Sequence, residues 1–114
     1  MLTSERIIIE SNSDLEIVAT IVAGFDLLKN FVVQYHFEDY REDGKNYSHS
    51  VVINEEDAKT MANHLKVSLV DLPQVLYNEF GDTTGLSVPS DVESAYKDVL
   101  DFILDCGAKY KLKR

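Results

Sequence analysis

The sequence predicts an α+β fold, a mainly antiparallel sheet of about four to five strands with about three helices packed on one of its faces. Two observations carry that expectation. Stretches with strand character crowd into residues 5–54, stretches with helical character follow over residues 55–106, and a short alternating run closes the chain. The chain has 114 residues, 45% of them hydrophobic and 27% charged. That suits one domain over residues 1–114, with a core that needs neither disulfides nor metal.

Each element has its own signal. "ERIIIES" (5–11) is a short apolar run bounded by the turn-forming "SNSD", and reads as a strand. "LEIVATIVAGF" (15–25) carries two patterns. Leu15, Ile17, Ala19, Ile21 and Ala23 alternate with Glu16 and Thr20, and the dense β-branching also favours a strand. Against it, Val18, Ile21, Val22, Phe25 and Leu28 form a helical stripe, with Ser13 and Glu16 at capping-box spacing. The balance falls slightly to strand. "NFVVQYHFEDY" (30–40) and "NYSHSVVIN" (46–54) flank "REDGK", whose Asp43-Gly44 suits a two-residue hairpin turn. A turn centred there sets Tyr40 opposite Tyr47, Glu38 opposite His49 and His36 opposite Val51. Val33, Tyr35, Phe37, Ser50 and Val52 then share the core side.

The helices follow. Asn54 is a good N-cap, and Glu55, Glu56 and Asp57 sit at the positive helix end behind it. Ala58, Met61, Ala62 and Leu65 form the inner side of this first helix. A second runs from about Leu72 to Phe80, with Asp71 as N-cap, Pro73 in its first turn, Gln74 at the capping-box position and Gly81 as its stop. Ser90 with Glu93 reads as a capping box for the last helix. Its apolar stripe is Val92, Tyr96, Val99, Ile103 and Cys106, and Gly107 ends it. "KYKLKR" (109–114) alternates Lys with Tyr110 and Leu112, and reads as an edge strand whose lysines discourage pairing with other chains. The same edge offers a route to a homodimer about a two-fold axis.

Charge is the informative total. Eleven Lys+Arg stand against twenty Asp+Glu, a net of −9. Residues 68–108 carry Asp71, Glu79, Asp82, Asp91, Glu93, Asp98, Asp101 and Asp105 against Lys97 alone, a local −7. Such a surface repels nucleic acid and anionic membrane, and favours basic partners or plain solubility. A single cysteine, Cys106, rules out an internal disulfide and suits a reducing cytoplasm. "RIII" is too short for a signal peptide or a membrane span.

One stretch suggests an activity by itself: "DAKTMANHLKVSLVDLPQVL" (57–76). With Ala62 on its first helix, a turn at Lys66 and the Val67-Ser68 step, it is similar to the second and third helices of phage-repressor-type helix-turn-helix domains. The resemblance implies a DNA-binding regulator acting through residues 57–80. Three residue-level features read it instead as a packing unit. Lys66 takes the turn position that glycine usually fills for its positive φ. Pro73 would be the fifth residue of a helix capped by Ser68, past the turn where proline is tolerated. Residues 69–80 hold Asp71 and Glu79 and no base, whereas phosphate contacts supply most nonspecific affinity for DNA.

The register above also gathers His36, Glu38 and His49, a set that could serve a metal-dependent small enzyme through His36 and His49. A solvated outer face with a Glu–His pair explains the same residues. Cys106, on an apolar stripe, reads as a small buried hydrophobe, and His64 as a favourable charge at a helix end. The five glycines are scattered, and no phosphate loop, G-x-S-x-G, H-E-x-x-H or C-x-x-C occurs. The sequence therefore points to a small acidic cytoplasmic protein, not an enzyme and without cofactor, that binds a protein with a basic surface. The acidic half 68–108 is the expected contact, with Glu79, Asp82, Asp98, Asp101 and Asp105 as partner-binding residues. One form of this is a bacterial or phage-encoded inhibitor whose carboxylates occupy the phosphate sites of a nucleic-acid enzyme.

Overall fold

The computed structural model describes residues 2–12, 14–41, 44–81 and 87–113. Five strands form one antiparallel sheet in chain order: β1 (Thr3–Glu10), β2 (Ile17–Phe25), β3 (Phe31–Asp39), β4 (Tyr47–Ile53) and β5 (Lys111–Lys113). Three helices come between β4 and β5: α1 (Glu55–Leu65), α2 (Leu72–Phe80) and α3 (Pro89–Asp105). This is the expected α+β arrangement, a meander closed by a terminal edge strand.

Residues 17–25 are a strand, as their alternation and β-branching imply. Ala19, Ile21 and Ala23 are fully buried on the face the helices cover. Phe25, Phe31, Val33, Tyr35, Val51 and Ile53 join them, together with Met61, Leu72, Leu76, Val92, Val99 and Ile103 from the helices. Val18, Val22 and Val32 point to the opposite face; they are also shielded from solvent, but belong to no part of that core. In β1 the pairing shifts between Ile7↔Val22 and Ile9↔Ile21, a one-residue bulge at Ile8. The bulge explains how three successive isoleucines are used: Ile8 and Ile9 are both buried, while Ile7 stays exposed.

The β3–β4 register differs from the one expected. The pairs are Phe31↔Ile53, Val33↔Val51, Tyr35↔His49, His36↔Ser48 and Phe37↔Tyr47. Residue numbers of partners sum to 84 rather than 87, and an odd shift moves one strand's side chains to the other face. Val51 lies inside with Val33, not outside with His36, and Ser50 and Val52 are on the other face. Gly44 does not form the centre of a two-residue turn. Its N–H donates to the carbonyl of Arg41 (2.9 Å), and the strands on either side end at Asp39 and resume at Tyr47. Asp43 lies outside the described residues.

α1 begins as expected, with the Asn54 side chain accepting from the Asp57 N–H at 2.8 Å. It ends at Lys66 in the left-handed conformation, φ 58°. Lysine at this position therefore does not bar the tight turn; the chain accepts the steric cost. A 3-10 turn (Leu69–Asp71) runs straight into α2. α2 starts where expected and keeps Pro73 in its first turn, but Asp71 makes no side-chain cap. Gln74 does not reach back either; its amide donates to Asn78 at 2.8 Å. Gly81 does stop α2, though not through a positive φ. A Cβ there would lie 2.4 Å from the Tyr77 carbonyl oxygen and 3.1 Å from that of Ile8, so the helix end closes down on β1. α3 starts two residues before the expected point. Pro89 is its first residue, and Asp91 rather than Glu93 turns back, accepting from the Val88 N–H at 3.1 Å.

Candidate acidic interface on α3

α3 is oriented by its inner side. Val92, Val99 and Ile103 are fully buried, Phe102 meets Phe80 of α2 edge-on at 5.4 Å, and Tyr96 meets Tyr35 of β3 at 5.4 Å. The helix is thereby anchored on both flanks. At 3.6 residues per turn, Asp91, Asp98, Asp101 and Asp105 fall within an arc of about 80° on the outward side, along a line of about 21 Å. All four are exposed. Asp91 is engaged by the cap at Val88. Asp98, Asp101 and Asp105 take part in none of the described ion pairs, which are Arg41–Asp39, Lys59–Glu55 and Lys97–Glu93.

Asp91 caps the start of the helix, but the other three aspartates do nothing for the helix that carries them. The spacings 98–101 and 101–105 put like charges side by side, which costs a few tenths of a kcal/mol per pair. The last turn holds Asp105 and no base, so its carboxylate faces the negative end of the helix dipole.

Of the other residues expected to contact a partner, Glu79 is exposed near the end of α2, and no described hydrogen bond or ion pair links it to α3. Asp82 lies outside the described residues. Asp91 was not among the expected contact residues; its spacing from Asp98, seven positions or about two turns, was the available signal.

The remaining candidates fare as follows. α2 buries Leu72, Pro73 and Leu76 and exposes Gln74, Asn78 and Glu79, none of them basic. Arg6 of β1 lies over the Tyr77 ring, 4.1 Å from its centroid. His36 and Glu38 are on the sheet face opposite His49, so the three do not converge. Glu38 instead accepts a hydrogen bond from the Tyr40 hydroxyl. Among the described residues no group of three or more His, Cys, Asp or Glu is placed to hold a metal ion, and no helix is long and apolar enough to cross a membrane. Cys106 is buried in the core, and burial together with the Asp105 charge pushes its thiol pKa up. That is the opposite of what a nucleophile needs.

One grouping was not foreseen. On the helix-covered face, at the hairpin end of β3 and β4, Phe37 stacks on Tyr47 (4.8 Å, 18°), Tyr47 meets His49 at 5.2 Å, and His49 lies parallel to Tyr35 (6.4 Å, 11°). Burial, the neighbouring Tyr47 and the Glu93 carboxylate push the Tyr35 phenol up to about 12. The signal was parity: Phe37, Tyr35, Tyr47 and His49 all hold odd positions, and pairing odd with odd stacks them. In comparison with known proteins, no family model, no curated protein and no solved structure matches the chain.

Proposed function

We propose that the protein acts by binding rather than by catalysis, in the cytoplasm, and that its partner is a protein with a basic surface engaged by the outward side of α3. The observation that carries this reading is the line of exposed aspartates, Asp91, Asp98, Asp101 and Asp105, none of them in a described ion pair. Asp98, Asp101 and Asp105 weaken their own helix, and a partner that neutralises them explains their presence. The −9 net charge supports the same reading, since it speeds encounter with a basic surface and repels phosphate backbones. An inhibitor that occupies the phosphate sites of a nucleic-acid enzyme is one protein of this kind.

The test is affinity capture from the native cell with the wild-type chain and with Asp98→Asn/Asp101→Asn/Asp105→Asn as baits. Each is washed at about 50 and about 300 mM salt, where screening lengths differ more than twofold. The expected result is a basic protein retained by the wild type at low salt, released at high salt, and lost from the triple variant. A partner held equally by both baits, or indifferent to salt, would refute the proposal.

A further inference from the structure

The aromatic grouping at the β3–β4 hairpin supports a second contact, and the inference rests on the reading of the protein as a binder of basic partners. Tyr47 is 47% exposed, and Phe37 and His49 are partly exposed, so these rings present surface to solvent. Tyr35 behind them is buried, and Tyr96 of α3 packs against Tyr35. Among the described residues, β5 pairs with Ser50–Val52, and no described strand lies beside β4 at Tyr47–His49. Glu93, one turn before Tyr96 on α3, is exposed and its charge is felt at Tyr35. Its ion pair with Lys97 is solvent-exposed and long, 4.0 Å, and leaves the carboxylate available. The Tyr96 hydroxyl oxygen behind the ledge is shielded from solvent and offers an incoming side chain no contact.

Ring faces carry negative charge density and attract a cation within about 6 Å of the centroid. A guanidinium suits the arrangement better than an ammonium. It is planar, so it can stack on a ring while its N–H groups reach a carboxylate. The chain already makes this contact once, with Arg6 over Tyr77. We propose that the ledge formed by Phe37, Tyr47 and His49, backed by Tyr35 and Tyr96 and flanked by Glu93, seats an arginine side chain of the basic protein partner. The choice of a protein over a single-stranded nucleic acid, whose bases also stack on aromatic rings, follows from charge: Glu93 and the aspartates of α3 would face its phosphates.

The experiment is an NMR titration of the full chain, with backbone and aromatic resonances followed, using three probes: a nona-arginine peptide, a nona-lysine peptide and a short single-stranded oligodeoxynucleotide. The arginine peptide is expected to shift the ring signals of Tyr47 and His49, and to do so at lower concentration than the lysine peptide. Tyr47→Ala is expected to weaken arginine-peptide binding roughly fivefold, and Tyr47→Phe to leave it nearly unchanged. Because the wild-type shift map stands alone, the result does not depend on how well Tyr47→Ala folds. Arginine-peptide shifts confined to α3, with the ledge unmoved, would overturn this inference and leave the proposed function in place. No shift anywhere with either peptide would overturn both. Ledge shifts with the oligodeoxynucleotide, and none with the peptides, would assign the site to the other class of ligand.

Discussion

Replacing Tyr96 by Phe should make the protein more stable. The Tyr96 hydroxyl is the one described buried side-chain polar atom without a hydrogen-bond partner. Burying such a group forfeits its bonds to water and returns nothing, at a cost of about 1–3 kcal/mol. Phenylalanine keeps the ring, and with it the contact to Tyr35 at 5.4 Å. Against the gain stands the small void left by one oxygen, which takes back a few tenths of a kcal/mol. Tyr96 is only partly buried as a residue, so the low end of the range applies and the net expectation is about +1 kcal/mol. For a chain of this size that corresponds to roughly 3–6 °C in Tm. Urea denaturation is the suitable assay: the midpoint should rise with the slope unchanged, which marks a change in stability rather than in the unfolded state. A loss of more than about 0.5 kcal/mol would refute the reasoning, because it would mean that the hydroxyl has a partner worth a typical hydrogen bond.

Three further outcomes follow from other residues. Lys66→Gly should stabilise by about 0.5–1 kcal/mol in the same assay, because Lys66 holds φ 58° and glycine does so without a Cβ penalty; no gain would refute the strain. Stability should fall on the alkaline side. Tyr35 titrates at about 12 when folded and near 10 when unfolded, so the folded chain keeps a proton that the unfolded chain gives up. The contribution is complete below about pH 10 and is lost between about pH 10 and pH 12. Tyr96, raised by burial and by Tyr110, acts in the same direction. Midpoints measured from about pH 9 to pH 11.5 should decline, and less steeply in Tyr35→Phe; an equal decline in that variant would refute the assignment. Asp105→Asn should stabilise α3 by about 0.5 kcal/mol, since it removes a negative charge from the negative end of the helix and from the Asp101 neighbourhood. Under the proposed function the same variant should also bind a basic partner less well; a destabilised variant would show that the carboxylate has a structural task.

The α+β order, the nature of the 17–25 segment, the Asn54 cap and the stripe of α3 were legible because each rests on a pattern local to a few residues. The β3–β4 register was not, and the reason lies in competing local signals. Asp43-Gly44 is a strong hairpin dipeptide, but a turn centred on it pairs odd with even positions. That would bury Ser50 and leave Val51 outside. The large residues of β3 sit at 31, 33, 35 and 37, and those of β4 at 47, 49, 51 and 53, so burial demands an even sum. Apolar burial outweighs turn propensity, and the chain absorbs the difference in a longer connection. Lys66 and the start of α3 failed for a related reason. Steric preference disfavours a left-handed lysine by only about 1–2 kcal/mol, and Pro89 with Asp91 forms as good a helix start as Ser90 with Glu93.

The consequence of the correct register reaches the candidate surface itself. In the expected register, His49 faced solvent beside Glu38 and His36, and the ionisable groups of the hairpin formed one polar cluster. In the actual register that cluster is divided by the sheet, and His49 joins a row of rings that ends beside α3. α3 therefore separates two surfaces of different chemistry. On the flank where Phe102 meets Phe80, and outward from it, lie the aspartates; on the flank where Tyr96 meets Tyr35 lie the rings. Asp residues act at a distance through charge, which speeds encounter and is screened by salt. Rings act only in contact, and tyrosine is among the residues that most often dominate interface energies. A basic protein laid across α3 would meet the first surface on approach and the second on docking. Substitutions in the aspartates should then alter mainly the rate of association, and substitutions at Tyr47 mainly the rate of release.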